Sequence, residues 1–99
     1  MANDDGIYVT GIFRLKDEAI ADFCDGMPEL LKATRARKGC RYIKVIRHLD
    51  RADEFLFLEE WDTNEDYQAY LDWRKSTGIS MADKLKEPQR FDRWQGRID

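Results

Sequence analysis

Phe55-Leu56-Phe57-Leu58-Glu59-Glu60-Trp61, running directly into Asp62-Thr63, is the stretch on which the fold turns. Its aromatic and aliphatic residues read as a strand, and alternation places Phe55 and Phe57 on one face with Leu56 and Leu58 on the other. Upstream, Tyr42, Lys44, Ile46 and His48 alternate with Ile43, Val45 and Arg47 over Arg41 to His48, and the polar segment 49–54 joins the two strands as a hairpin. Downstream, Asp62 or Thr63 caps a helix. Glu65 and Asp66 occupy its first turn, Tyr67, Tyr70, Leu71 and Arg74 follow at helical spacing, and Gly78 ends it.

Further out, Gly6 to Arg14 alternates again, with Ile7, Val9, Gly11 and Phe13 opposite Tyr8, Thr10, Ile12 and Arg14. From about Asp17 the period changes. Ile20, Phe23, Cys24, Met27, Leu30, Leu31 and Thr34 recur at three- and four-residue steps, which predicts a first helix stopped at Gly39, with a kink or break at Pro28. Ile79, Ala82 and Leu85 suggest a further short helix, and residues 90–95 a last strand. The order β-α-β-β-α-β is the ferredoxin-like α+β pattern, an antiparallel sheet with both helices on one face. A single domain over residues 1–99 is expected, with residues 1–5 outside the ordered fold.

With 99 residues, 42% of them hydrophobic, the chain can build one core, and its formal charge of −3 removes the bulk electrostatic attraction to nucleic acid or an anionic membrane. Neither a leader pattern nor a membrane-spanning run is present in the sequence, so a cytoplasmic location is expected. Cys24 and Cys40 are expected as reduced, buried thiols, and one histidine, His48, without paired cysteines gives no structural metal site. Large apolar groups on both faces of the first and third strands leave one sheet face for a partner subunit to cover.

The order of elements, the Lys38-Gly39-Cys40 turn, the Leu49-Asp50-Arg51-Ala52-Asp53 hairpin, and the 55–61 strand followed by a helix with Tyr67 and Tyr70 resemble the antibiotic biosynthesis monooxygenase family. The resemblance implies a homodimeric α+β barrel with a small-molecule pocket between sheet and helices. It also implies oxidation of a small aromatic, quinol or polyketide-like substrate by dioxygen without any cofactor. Trp61 and Tyr67 match the tryptophan and tyrosine that line the substrate site of the polyketide oxygenases, whereas Phe57 stands where those enzymes place an asparagine. The haem-degrading relatives carry a histidine on the second helix, and this chain has none after His48.

The expected catalytic set is therefore Trp61, Tyr67 and His48. Trp61 would orient a substrate hydroxyl, Tyr67 would bond it or relay its proton, and His48, alone in titrating near neutrality when unperturbed, would be the base. Phe13, Phe57, Tyr70 and Trp73 are the expected substrate-binding residues, with no metal ligands. A non-redox isomerase or small-molecule-binding protein of the same fold is the alternative reading. An RNA-binding sheet is a third, drawn from the basic cluster of Arg35, Arg37, Lys38, Arg41 and Lys44 around Tyr42.

Overall fold

A computed structural model of the chain describes residues 6–99 and runs β1 (Ile7–Arg14), α1 (Ile20–Arg35), β2 (Cys40–Arg47), β3 (Glu54–Trp61), α2 (Asn64–Ser76) and β4 (Arg90–Gln95). The strands form one antiparallel sheet in the order β2-β3-β1-β4, the ferredoxin-like arrangement that the sequence predicts. Short 3-10 turns lie at Asp17–Ala19 and Ala82–Lys84, the latter in place of the further helix expected around Ile79. Residues 1–5 lie outside the described residues.

Register follows from alternation. Val9, Gly11 and Phe13 of β1 face Glu59, Phe57 and Phe55 of β3, and all of these point toward the helices. A bulge between Cys40 and Tyr42 sets Cys40 opposite Trp61 and returns Ile43 to the inward face beside Glu59. Phe13 is the hub of the main core. Its ring centroid lies 4.9 Å from that of Phe57 and 5.4 Å from that of Phe23 on α1, with Met27, Leu31 and Ile43 closing around them.

Three expectations are corrected: a break at Pro28, a buried Cys24 and a helix stop at Gly39. The helix runs unbroken through Pro28. The missing proline N–H orphans only the carbonyl one turn back, at the exposed residue Cys24, where water can solvate it, while buried Phe23, Met27 and Leu31 fix the opposite side. Cys24 is accordingly exposed rather than buried, and Cys40 is half-buried and also free. Gly39 does not stop the helix, whose C-cap is Ala36. At φ +85° it makes the turn into β2, where a Cβ would collide with the side chain of Asp66.

The outward face carries exposed Ile12, Ile46 and Trp94 beside half-buried Leu56 and Leu58. At the opposite end of the sheet from Trp61, Asp53 accepts from Lys86 Nζ at 2.6 Å and from Arg14 Nη2 at 2.9 Å. These bonds tie the hairpin and the segment before β4 to the end of β1. The two cations, Lys86 foremost, hold the Asp53 carboxyl down at about 2, against about 3.9 for a free aspartate. A depressed folded value means stability that is present above the unfolded pKa and lost as pH falls through the folded one. Asp53→Asn should therefore lower the melting temperature at pH 7 and flatten its decline between about pH 4 and pH 2. Thermal melts followed by circular dichroism across that range check this; parallel curves for the two proteins would contradict it.

Candidate functional site

Alternation along β3 delivers Glu59 and Trp61 to the inward face at steps of two, and α2 covers them with Tyr67 and Tyr70, which three-residue spacing brings to one side of the helix. The helix starts where it does because Thr63 caps it, its Oγ1 accepting from the Asp66 N–H at 3.0 Å. Trp61 is fully buried, with its ring centroid 4.9 Å from Tyr70 and 5.6 Å from Tyr67. Its indole N–H donates to Glu59 Oε1 at 3.0 Å.

Glu59 is 3% exposed and sits in this aromatic layer without an ion-pair partner among the described residues. Burial raises its pKa above the ordinary carboxylate range, the Trp61 hydrogen bond and the positive charge of Arg74 opposing that rise only in part. The Tyr67 hydroxyl is pushed up too, first by burial and then by the charge of Glu59, so it is a neutral donor at physiological pH. Beside it, Arg74 Nη1 donates to the Tyr70 hydroxyl at 2.9 Å, and that hydroxyl lies 3.0 Å from Thr34 Oγ1 on α1. Since the guanidinium can only donate, Tyr70 has its proton free for Thr34.

Glu59, Tyr67, Tyr70, Arg74, Phe57 and Phe91 are among the residues enclosing a cavity of about 40 Å³ between α2 and the sheet. That volume admits a water molecule and no aromatic ring. Phe91 is its most exposed apolar wall. It stands on edge strand β4, is 42% exposed, and lays its ring over Gly11, where a Cβ would collide with it.

Of the residues expected from the sequence, the structure brings Tyr67, Tyr70 and Phe57 to the cavity wall, with Trp61 directly behind Glu59. Three others lie elsewhere. His48 is in the β2–β3 hairpin, where its Nδ1 accepts from the backbone N–H groups of Asp50 and Arg51, both at 3.0 Å. Phe13 is committed to the main core, and Trp73 packs against Tyr70 with the Arg37 guanidinium 4.8 Å from its ring. Glu59 and Arg74 are the additions. Considered together, Glu59 and Glu60 point to opposite faces and cannot act as a pair. The usable signal was Glu59 alone, a carboxylate on the face that carries Phe55 and Phe57.

The antibiotic biosynthesis monooxygenase family model matches residues 6–80. The chain belongs to this family. No curated protein matches it. Among solved structures it is similar to a conserved protein from Methanosarcina mazei Go1, at 17% identity over 92% of each chain with a TM-score of 0.81. It is also similar to a protein from Deinococcus radiodurans assigned provisionally to the antibiotic biosynthesis monooxygenases, at 17% identity over 94% of each chain and the same TM-score of 0.81. The PA3566 protein of Pseudomonas aeruginosa aligns at 14% identity over 94% of each chain with a TM-score of 0.75. At these identities the likeness shows the shared fold of the family and no more. No helix among the described residues is long and apolar enough to cross a membrane.

A raised folded pKa on a carboxyl carries a definite sign. Between the unfolded and folded values the native state binds more protons, so Glu59 makes stability fall as pH rises through that window. Glu59→Gln keeps an acceptor for Trp61 and removes the buried charge. We expect a higher melting temperature than the parent at pH 7 and no difference below about pH 4, where the carboxyl is protonated in both states. Melts at the two pH values check this, and a variant less stable at pH 7 would contradict it.

Proposed function

We propose that this family member is a cofactor-independent monooxygenase that oxidises a small phenolic, quinol or polyketide-like substrate with dioxygen. The observation that carries the reading is the buried Glu59 carboxylate, held by Trp61 and facing the same cavity as the neutral Tyr67 hydroxyl and the Arg74 guanidinium. Electrons leave a phenolate more readily than a phenol, so the first requirement is a base whose pKa lies above that of a free carboxylate. Glu59 meets it, and it takes the role that sequence reasoning gave to His48.

The substrate hydroxyl passes its proton to Glu59, and the phenolate supplies electrons to dioxygen. One oxygen atom bonds to a ring carbon. The other leaves with two hydrogens as water, so that phenol and dioxygen become quinone and water. Tyr67 donates a hydrogen bond to the anionic substrate oxygen, and Arg74 stabilises negative charge on the reduced oxygen. In a cavity lined mainly by aromatic and aliphatic groups these interactions are stronger than in water. Substrate entry displaces the Phe91 ring, because the closed cavity holds only a water molecule. The same acid-base pair would serve a non-redox isomerase, and oxygen uptake separates the two readings.

The functional unit in this reading is a homodimer, with the outward faces of two sheets packed together so that Ile12, Ile46 and Trp94 are covered. Sedimentation equilibrium at micromolar concentration should give twice the 11.8 kDa chain mass; a folded monomer would contradict this.

With a panel of quinols and phenols in an oxygen electrode, Glu59→Gln should lower turnover by about 100- to 10,000-fold, the usual range for loss of a general base. Trp61→Phe should also lower turnover and move the acidic limb of the pH profile upward, because the carboxylate loses its donor. His48→Ala should leave turnover unchanged. Uptake unaffected by Glu59→Gln on a turned-over substrate would overturn the assignment of the base, and no uptake across the panel would favour the isomerase.

A further inference from the structure

A much larger opening lies beside α1. Between α1 and the edge strand β2 runs a groove of about 570 Å³, within the range of small-molecule sites and far above the cavity under α2. Its floor and walls are apolar, contributed by Phe23, Met27 and Leu31 of α1 with Val45 and Phe55 of the sheet. Its charged lining is of one sign. Arg35, Lys44 and Arg47 contribute to it and no Asp or Glu does, in a chain that carries 20 acidic and 17 basic residues.

Nor are these cations neutralised from elsewhere. Arg35 Nη2 donates to the Ile43 carbonyl at 2.9 Å, Arg47 Nε donates to the Ala52 carbonyl at 2.7 Å, and Lys44 Nζ lies 5.4 Å from the Tyr42 ring centroid. Among the described residues none of the three forms an ion pair, whereas Arg14, Arg41, Arg51 and Lys86 all do. Each backbone bond uses one guanidinium N–H and leaves others of the fork available. An apolar trough edged by unneutralised donors complements a ligand with a hydrocarbon body and an anionic head.

We propose that the α1–β2 groove is a second ligand site, separate from the cavity under α2, and that it takes an amphipathic organic anion, a medium-chain carboxylate being the simplest. The hydrocarbon lies along Met27, Leu31, Val45 and Phe55, and the carboxylate is held by Arg35 and Arg47, whereas Lys44 reaches the groove from the opposite face of β2, where its Nζ lies over Tyr42. This assignment does not depend on the oxygenase reading, since it uses none of Glu59, Trp61, Tyr67 or Arg74.

Cys24, exposed and lining the same groove, reports on occupancy. The intact protein is titrated with decanoate, and alkylation of Cys24 by iodoacetamide is followed by peptide mass spectrometry. Saturating decanoate should slow Cys24 alkylation at least severalfold. Decanol, with the same chain and no charge, should bind about tenfold more weakly, as expected for loss of a charge-assisted hydrogen bond. The Arg35→Gln/Arg47→Gln double variant, checked for a parental circular dichroism spectrum, should lose most of the preference for decanoate. A second variant, Val45→Glu, places a carboxylate in the trough and should abolish protection by decanoate while keeping the parental circular dichroism spectrum. Equal protection by decanoate and decanol would overturn the proposal, as would failure of decanoate to protect at millimolar concentration. Protection that rises with protein concentration in the absence of ligand would also overturn it, showing a second copy of the chain seated in the groove.

Discussion

Because side chains alternate along a strand, β3 sends Phe55, Phe57, Glu59 and Trp61 to the helix side in single file, and the rest of the molecule is arranged around what they carry. The first two are core, stacked with Phe13 and capped by α1. The last two are a charge and its donor, enclosed by the aromatic layer of α2. One strand thus divides the interior into an apolar half that stabilises the fold and a polar half that can do chemistry. The bulge in β2 and the turn at Gly39 bring Cys40 and Ile43 up against that polar half without disturbing the register elsewhere.

Keeping a carboxylate in such a place opposes folding, since an ion transferred from water to an aromatic layer loses solvation that a single indole N–H only partly replaces. A protein selected for stability alone has no need of it. The cost is consistent with a site that requires a proton acceptor tuned upward, and burial is the physical means of tuning. The Arg74–Tyr70–Thr34 chain bears on the same point. It ties α2 to α1 and places a positive charge near Glu59 without a direct ion pair, which would pull the carboxyl back toward ordinary acidity.

Much of this was legible in the sequence. Period-two alternation locates the first three strands and their alternating faces, and residues 90–95 read as a last strand without assigned faces. The change to helical spacing locates both helices, and a cap at Asp62 or Thr63 and Gly78 bracket α2. What was not legible shares one cause, that hydrogen-bond partners are set by tertiary packing. His48 attracted attention through its intrinsic acidity, yet its Nδ1 is occupied by two backbone N–H groups of its own hairpin. Pro28 looked like a break because its effect depends on whether the orphaned carbonyl reaches water, which burial alone decides. Glu59 gives no signal as half of a pair with Glu60, which points to the other face; its meaning lies in the residues two positions to either side.

The central claim is that Glu59 titrates as a buried acid coupled to the Trp61 indole. A pH titration of protein carrying carboxyl-¹³C glutamate, with the Trp61 indole N–H followed in parallel, tests it most directly. The account predicts a Glu59 midpoint clearly above the value of about 4.3 for a free glutamate, with the Trp61 resonance moving at the same midpoint. A Glu59 midpoint at or below the free value, or an indole signal that ignores it, would contradict the account.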